Sequence, residues 1–302
     1  MPLSTPLLGP RRSSSTTADV DAVLSVAMAA AAAGADAAMR FFHDENLTRW
    51  DKWDGSLVTA ADVAAETAVR ATLDRLAPGE HVLGEEHGGS NTRDDLWIVD
   101  PVDGTENFSR GHPVWGTLVA HQVNGEVDIA VIDAPGLGRR WWAIRDGGAF
   151  TGARQDPSDR PGRRLRVSER SDRADATFGY GGLHECPSDQ AVERLVATAR
   201  QFRCAWGWGN FWPHVLVAEG VVDAALSYGV ALWDIAAPIL LVSEAGGRWS
   251  DVDGRTSLAI DSLLTSNGPL HDDLVGELTG TSRSDYVGPD ATAARETSPS
   301  GH

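Results

Sequence analysis

Leu96-Trp97-Ile98-Val99 is an unbroken apolar run that leads directly into Asp100-Pro101-Val102-Asp103-Gly104-Thr105. A short run of this kind reads as a buried strand, so the fold has to enclose it and deliver its end to a place where carboxylates are tolerated. His81-Val82-Leu83 repeats the pattern, running into Gly84-Glu85-Glu86. Pro101 lacks an amide hydrogen, so pairing is expected to end there and leave Asp100 and Asp103 in a turn with converging carboxylates. Acids packed together repel and raise one another's pKa unless cations neutralise them, and hard oxygen donors with a partly open shell suit magnesium. Gly104 lets the backbone approach a ligand closely, and the amides of Gly104 and Thr105 can open the next segment as a phosphate-binding terminus. Taken singly, Asp-Gly is a turn, Glu-Glu a solvated face and Thr-Ala-Ala-Asp a helix start. Their order and strand context give them chemistry.

The rest of the chain reads as alternating structure around these segments. Asp19 or Asp21 can cap a helix from Ala22 to about Phe42, and a second helix follows Thr59 through Asp62 to about Leu76, ending at Pro78-Gly79. Val114 to Val123, Val127 to Asp133 and Arg140 to Ala143 suggest an antiparallel meander with turns at Asn124-Gly125 and Pro135-Gly136. Beyond the polar loop 152–164 the pattern changes. A strand is expected near Arg166-Val167, then a helix Asp189 to Arg200, a strand at Cys204-Ala205, a helix Phe211 to Glu219, a strand 222–226 and a helix Trp233 to Ala245 closed by Gly246-Gly247. The chain therefore divides into disordered tails at 1–17 and 280–302, an N-terminal α+β subdomain at 18–145 and a C-terminal α/β subdomain at 146–279.

Composition closes off other classes. A net charge of −17 argues against nucleic acid, whose binding depends on basic residues that neutralise phosphates. The run Ala27 to Ala38 is interrupted by Gly34 and Asp36, so no membrane segment is expected, and the N-terminus lacks a secretory pattern. Cys186 and Cys204 are too few for a disulfide framework, which fits a cytoplasmic protein. Lys52 is the only lysine.

Four ordered blocks resemble the inositol monophosphatase superfamily of metal-dependent phosphatases. They are Lys52 with the segment 54–62, Gly84-Glu85-Glu86, Trp97 to Thr105 with Asn107-Phe108, and Leu232-Trp233-Asp234-Ile235-Ala236-Ala237 with Glu244-Ala245-Gly246-Gly247. The resemblance implies a layered αβαβα sandwich, a homodimer and two or three Mg2+ ions per subunit. It places Glu85, Asp100 and the Val102 carbonyl on one metal, Asp100, Asp103 and Asp234 on a second, and Asp62 with Glu85 near a third. Thr105, hydrogen-bonded to Asp62, would orient the attacking water. Lys52 would lie in a loop over the metals, steadying Glu85 or the phosphate. The substrate implied is a small-molecule phosphate monoester. A catalytically dead scaffold would lack a ligand, and a bisphosphate substrate would need more basic residues than Arg110 and Lys52.

Within the superfamily, 107–115, Arg140-Trp141-Trp142-Ala143 and Phe211 to Gly220 are most similar to the actinobacterial histidinol-phosphate phosphatases. Two acids expected from that subgroup are replaced here, one by Asn210 after Gly209 and one within Ser227-Tyr228-Gly229. Their loss points to a more neutral leaving group, since a bound cation without acidic partners is expensive to desolvate. A phosphatase of a sugar, cyclitol or nucleoside monophosphate is the alternative. Trp206, Trp208, Gly209, Asn210, Phe211, Ser227 and Arg110 are the candidate substrate residues, with the two tryptophans placed to stack on a ring.

Overall fold

The computed structural model describes residues 17–53, 55–90, 92–155 and 162–279. The expected tails, apart from Thr17 at the start of the first helix, and Asp54 lie outside these residues. Helix α1 (Thr17–Met39) buries Ala27, Ala30, Ala31, Ala35 and Ala38 completely. Its segment Asp19–Met39 does reach the length and hydropathy of a membrane crossing, contrary to the expectation from sequence, and in the fold its alanine stripe is core. Strands β1 (Arg49–Asp51) and β2 (Leu57–Thr59) pair antiparallel and lead into α2 (Ala60–Leu76). Thr59 caps this helix. Its Oγ1 accepts from the Ala61 amide at 3.1 Å, and the Asp62 carboxylate takes the Thr59 amide at 2.9 Å, a reciprocal cap that immobilises Asp62.

A seven-stranded sheet follows, in the order β3 (Val82–Gly84), β4 (Leu96–Asp103), β5 (Gly116–Val123), β6 (Glu126–Ala134), β7 (Arg139–Ile144), β8 (Gly148–Ala153) and β9 (Arg163–Arg164), with the short helix α3 (Thr105–Ser109) between β4 and β5. The pair β3–β4 is parallel and every other pair antiparallel. Asn124 and Gly125 both have positive φ, the two-residue hairpin turn that their sequence favours. The division placed near residue 145 falls within the β7–β8 connection, and the change of sheet comes between Arg164 and Thr177. No strand forms at Arg166-Val167, where the Val167 amide bonds the Ala245 carbonyl instead.

The second half supplies β10 (Thr177–Tyr180), α4 (Asp189–Ala199), β11 (Cys204–Gly207), α5 (Trp212–Ala218), β12 (Ala224–Tyr228), α6 (Leu232–Glu244), β13 (Arg248–Ser250), β14 (Ser262–Ser266) and α7 (His271–Thr279). These strands form a five-stranded sheet ordered β11-β10-β12-β14-β13, in which β10, β11 and β12 run parallel. Three apolar clusters define the layers. Val69 and Leu73 of α2 and the alanines of α1 cover Trp97, Val99, Val119 and Val131 on one face of the larger sheet. Leu96, Ile98, Leu118 and Ile132 on its other face meet α5 and α6. Phe178, Leu226 and Leu264 of the smaller sheet pack on Leu195 of α4 and Leu274 of α7. The result is the expected αβαβα sandwich. It explains the unbroken apolar run of β4, because residues on both faces of that strand are buried.

Pairing does not end at Pro101. Strand β4 continues to Asp103, which pairs with Gly116, and the register shifts between Asp100 and Asp103. The Thr117 hydroxyl binds the Pro101 carbonyl at 2.8 Å, and Oδ1 of Asp100 accepts the Val102 amide at 3.0 Å. This irregularity absorbs the proline within the sheet and bends the strand end.

Candidate active site

Parallel pairing of β3 with β4 brings their carboxyl ends to the same edge. Gly84 is in register with Val99, and the Glu85 amide bonds the Val99 carbonyl at 3.2 Å, so Glu85 and Asp100 emerge side by side. Asp100 shares strand parity with Leu96 and Ile98, the side on which α6 packs. Helix α6 contributes Asp234 from its first turn, where a carboxylate is favoured by the helix dipole and where its Oδ2 accepts the Ala231 amide at 2.6 Å. Oxygens of Asp100, Asp103 and Asp234 lie within 4.8 Å of one another.

Burial pushes the Asp100 carboxyl well above the usual carboxylate range, and Glu85, Asp103 and Asp234 add repulsion. Asp103 is raised by burial and then by Asp234, against the opposing hydrogen bond from the Phe211 amide. Asp234 is raised to about 7, chiefly by burial. Three converging carboxylates that resist ionisation for want of positive charge match a site for hard divalent cations.

Around this cluster the remaining candidates fall into two groups. Thr105 donates its hydroxyl to Oδ1 of Asp62 at 2.9 Å and lies 3.1 Å from the Val102 carbonyl. Asp62 is fully buried, which raises its pKa, while Thr59 and Thr105 oppose the shift. Gly104, at φ 94°, turns the chain from β4 into α3, and an added Cβ would stand 2.7 Å from Nδ2 of Asn210. Asn210 therefore sits directly over the Gly104 backbone. Lys52 bridges Glu85 at 2.8 Å and Glu86 at 2.7 Å. Burial disfavours its charge, but the two carboxylates outweigh that and hold the ammonium above the usual lysine range.

Two candidates are placed differently. The Phe211 side chain is buried in the core against Trp141 and Trp212, and only its amide reaches the site, at Asp103. Arg110 pairs with Glu106 one helical turn away at 3.1 Å, both side chains largely exposed, and neither is drawn into the acidic cluster. Trp206 and Trp208 stack with centroids 6.2 Å apart and planes at 13°, Trp206 being 54% exposed. Gly209 and Asn210 continue from this pair in a left-handed turn. Ser227 is buried, with its hydroxyl 3.0 Å from Nε2 of His214.

Motif reading misses two groups. Glu66 is completely buried beneath the Glu85 loop, accepting the Glu86 amide at 2.6 Å and Nε of Arg70 at 2.7 Å. Glu185, in the loop after β10, lies beside Ser227 and adds to the negative field on Asp103 and Asp234. The helical spacing of Glu66 within α2 hints at an inward face, whereas nothing local marks Glu185.

A layered αβαβα fold that gathers carboxylates from the end of β4 and the first turn of α6 is, with the family match that follows, that of a hydrolase of phosphoric monoesters. Residues 19–282 match the model of the inositol monophosphatase family, and the chain belongs to that family. The histidinol-phosphatase of Streptomyces coelicolor is 40% identical over 231 residues, spanning 75% of this chain and 85% of that protein. The histidinol-phosphatase of Mycobacterium tuberculosis is 42% identical over 228 residues, 75% of this chain and 86% of that one. The fold is similar to that of a Thermotoga maritima IMPase, with a TM-score of 0.75 at 27% identity over 85% of this chain and 97% of the other.

Proposed function

We propose that the chain is a Mg2+-dependent phosphatase that hydrolyses L-histidinol phosphate. The convergence of Asp100, Asp103 and Asp234 beside the Thr105–Asp62 pair carries this reading. Asp100, Asp103 and Asp234 would hold one ion, and Glu85, Asp100 and the Val102 carbonyl another, with Asp62 and Glu85 near a third. When bound, Mg2+ lowers the pKa of the attacking water and stabilises the departing oxyanion. The chain supplies position and proton transfer. Thr105 gives its hydroxyl hydrogen to Asp62, which leaves a lone pair to accept a hydrogen from that water. The capping contacts from Thr59 hold Asp62 in place for this, and burial makes its carboxylate a better proton acceptor. Gly104 and Thr105 offer backbone amides to the phosphate, and Lys52 steadies Glu85 and Glu86.

The relatives support histidinol phosphate, and the stacked Trp206–Trp208 pair offers a flat surface suited to its imidazole ring. The same surface suits a sugar or a nucleoside, the second reading. Free Cys186 and Cys204 support a cytoplasmic setting, and the family resemblance supports a homodimer. Phosphate release with Mg2+ across histidinol phosphate, inositol phosphates, sugar phosphates and nucleoside monophosphates tests the assignment. Histidinol phosphate is expected to be turned over selectively; selective turnover of a sugar or nucleoside phosphate would replace it with the second reading.

A further inference from the structure

The parallel pairing of β10 with β11 and β12 ends at Tyr180, opposite Gly207 and Leu226, so Gly181 and Trp208 leave the five-stranded sheet level with Ser227, which stays paired with Leu263 of β14. Crevices at the carboxyl ends of parallel strands are common ligand sites. This edge faces the acidic cluster, since the chain after β11 reaches Asp103 through the Phe211 amide and the chain after β12 reaches Asp234. A leaving group attached to a phosphate at the cluster would extend toward it.

Glu185 turns back over this edge. Its Oε2 accepts the Gly182 amide at 2.9 Å. A Cβ built on Gly181 would be 3.1 Å from that oxygen and 3.3 Å from the Ser227 hydroxyl, so carboxylate and hydroxyl share the space that glycine leaves open. The Glu185 side chain is 40% exposed, and the imidazole of His184, itself 85% exposed, lies 4.0 Å away. Burial raises the Glu185 carboxyl, with the Gly182 amide and His184 opposing. Glu185 thus offers a partly exposed carboxylate beside the end of β10, close enough to add to the negative field on Asp103 and Asp234.

We propose that Glu185 is a specificity-determining residue that takes the protonated amine of the leaving group, with Ser227 beside it. The inference rests on the phosphatase reading above and makes the substrate an amino-alcohol phosphate. It also reverses the expectation of a neutral leaving group: with acids missing at Asn210 and within Ser227-Tyr228-Gly229, the loop after β10 supplies one instead.

The test compares kcat/KM in two pairs of esters at saturating Mg2+: L-histidinol phosphate with its deaminated analogue, and phosphoethanolamine with ethyl phosphate. Within each pair only the ammonium differs, so effects on metal binding or folding cancel in the ratio. The parent enzyme should prefer the aminated ester in both. E185Q keeps an acceptor for the Gly182 amide while removing the charge, and should cut that preference by about tenfold or more, the value of one charged hydrogen bond, mainly through KM. E185D should recover part of it. A preference in E185Q within about twofold of the parent's, or no amine preference in the parent, overturns the role of Glu185. An amine preference in the short pair without selection of histidinol phosphate leaves Glu185 standing and removes histidinol phosphate as the substrate.

Discussion

The backbone amide of Phe211 donates a hydrogen bond to Oδ2 of Asp103 across 108 residues of sequence. This one contact ties the turn that follows the stacked tryptophans to the acidic cluster, so the candidate substrate segment and the candidate metal ligands share a frame. Asp103 serves both, and its neighbours Asp100 and Asp234 can be altered without breaking the tie.

D100N and D234N should therefore remain folded while phosphate release falls about a hundred- to a thousandfold, the usual loss when a preorganised charge is removed. Each also deletes one member of a repelling trio, so in EDTA either variant should melt no lower than the parent. Full Mg2+-dependent turnover in either would remove that residue from the metal site.

The metal-free protein should lose stability as pH rises toward neutrality and beyond. Asp234 is held at about 7 and Asp100 and Asp103 are also raised, so the folded state keeps protons that the unfolded chain releases near pH 4. Stability from these groups is then greatest at low pH and declines through the folded pKa. His214 and His271, both lowered to about 3 by burial, act in the opposite sense below about 6.5. Thermal melts between about pH 6.5 and 8 isolate the carboxylates, and Mg2+ should raise the melting temperature and flatten the slope. A metal-free slope that is flat or positive there would contradict the buried cluster.

Thr105 holds Asp62 and the Val102 carbonyl through one oxygen. T105A should lower kcat by about a hundredfold with little change in KM, as expected for a group that positions water and relays a proton. T105S should restore much of the loss, because the hydroxyl is what the geometry uses. Equal effects of both variants on KM alone would instead mark Thr105 as a phosphate-binding residue.

G84A should destabilise the fold. A Cβ there would lie 2.1 Å from Oε1 of Glu66, a buried carboxylate already fixed by Arg70 and the Glu86 amide. The cost should be about 1–3 kcal/mol, typical of overpacking, read as a lower urea midpoint. Because Glu85 and Glu86 follow Gly84 directly, Mg2+ affinity should fall as well. An unchanged midpoint would show that Glu66 moves freely.

Much of this protein is decided by neighbouring residues alone. The apolar run before Asp100, the cap formed by Thr59 and Asp62, the Asn124-Gly125 hairpin and the acids after β3 and β4 follow from local sterics, hydrogen bonding and strand parity, which act over a few residues. Pro101 shows where local reasoning stops: its missing amide predicts an end to pairing, yet the Thr117 hydroxyl and the Asp100 carboxylate satisfy the backbone around it and β4 runs on. Phe211 and Arg110 show the same limit, since core packing turns one inward and a pairing with Glu106 occupies the other. Residue order names Asp234 and Ser227, but only packing of α6 between the two sheets brings Asp234 to Asp100, and only the return of the loop after β10 sets Glu185 beside Ser227. The reaction is legible in sequence because its groups cluster at adjacent strand ends. The proposed leaving-group site draws on three neighbouring strands and a loop, and their convergence exists only once the layers have packed.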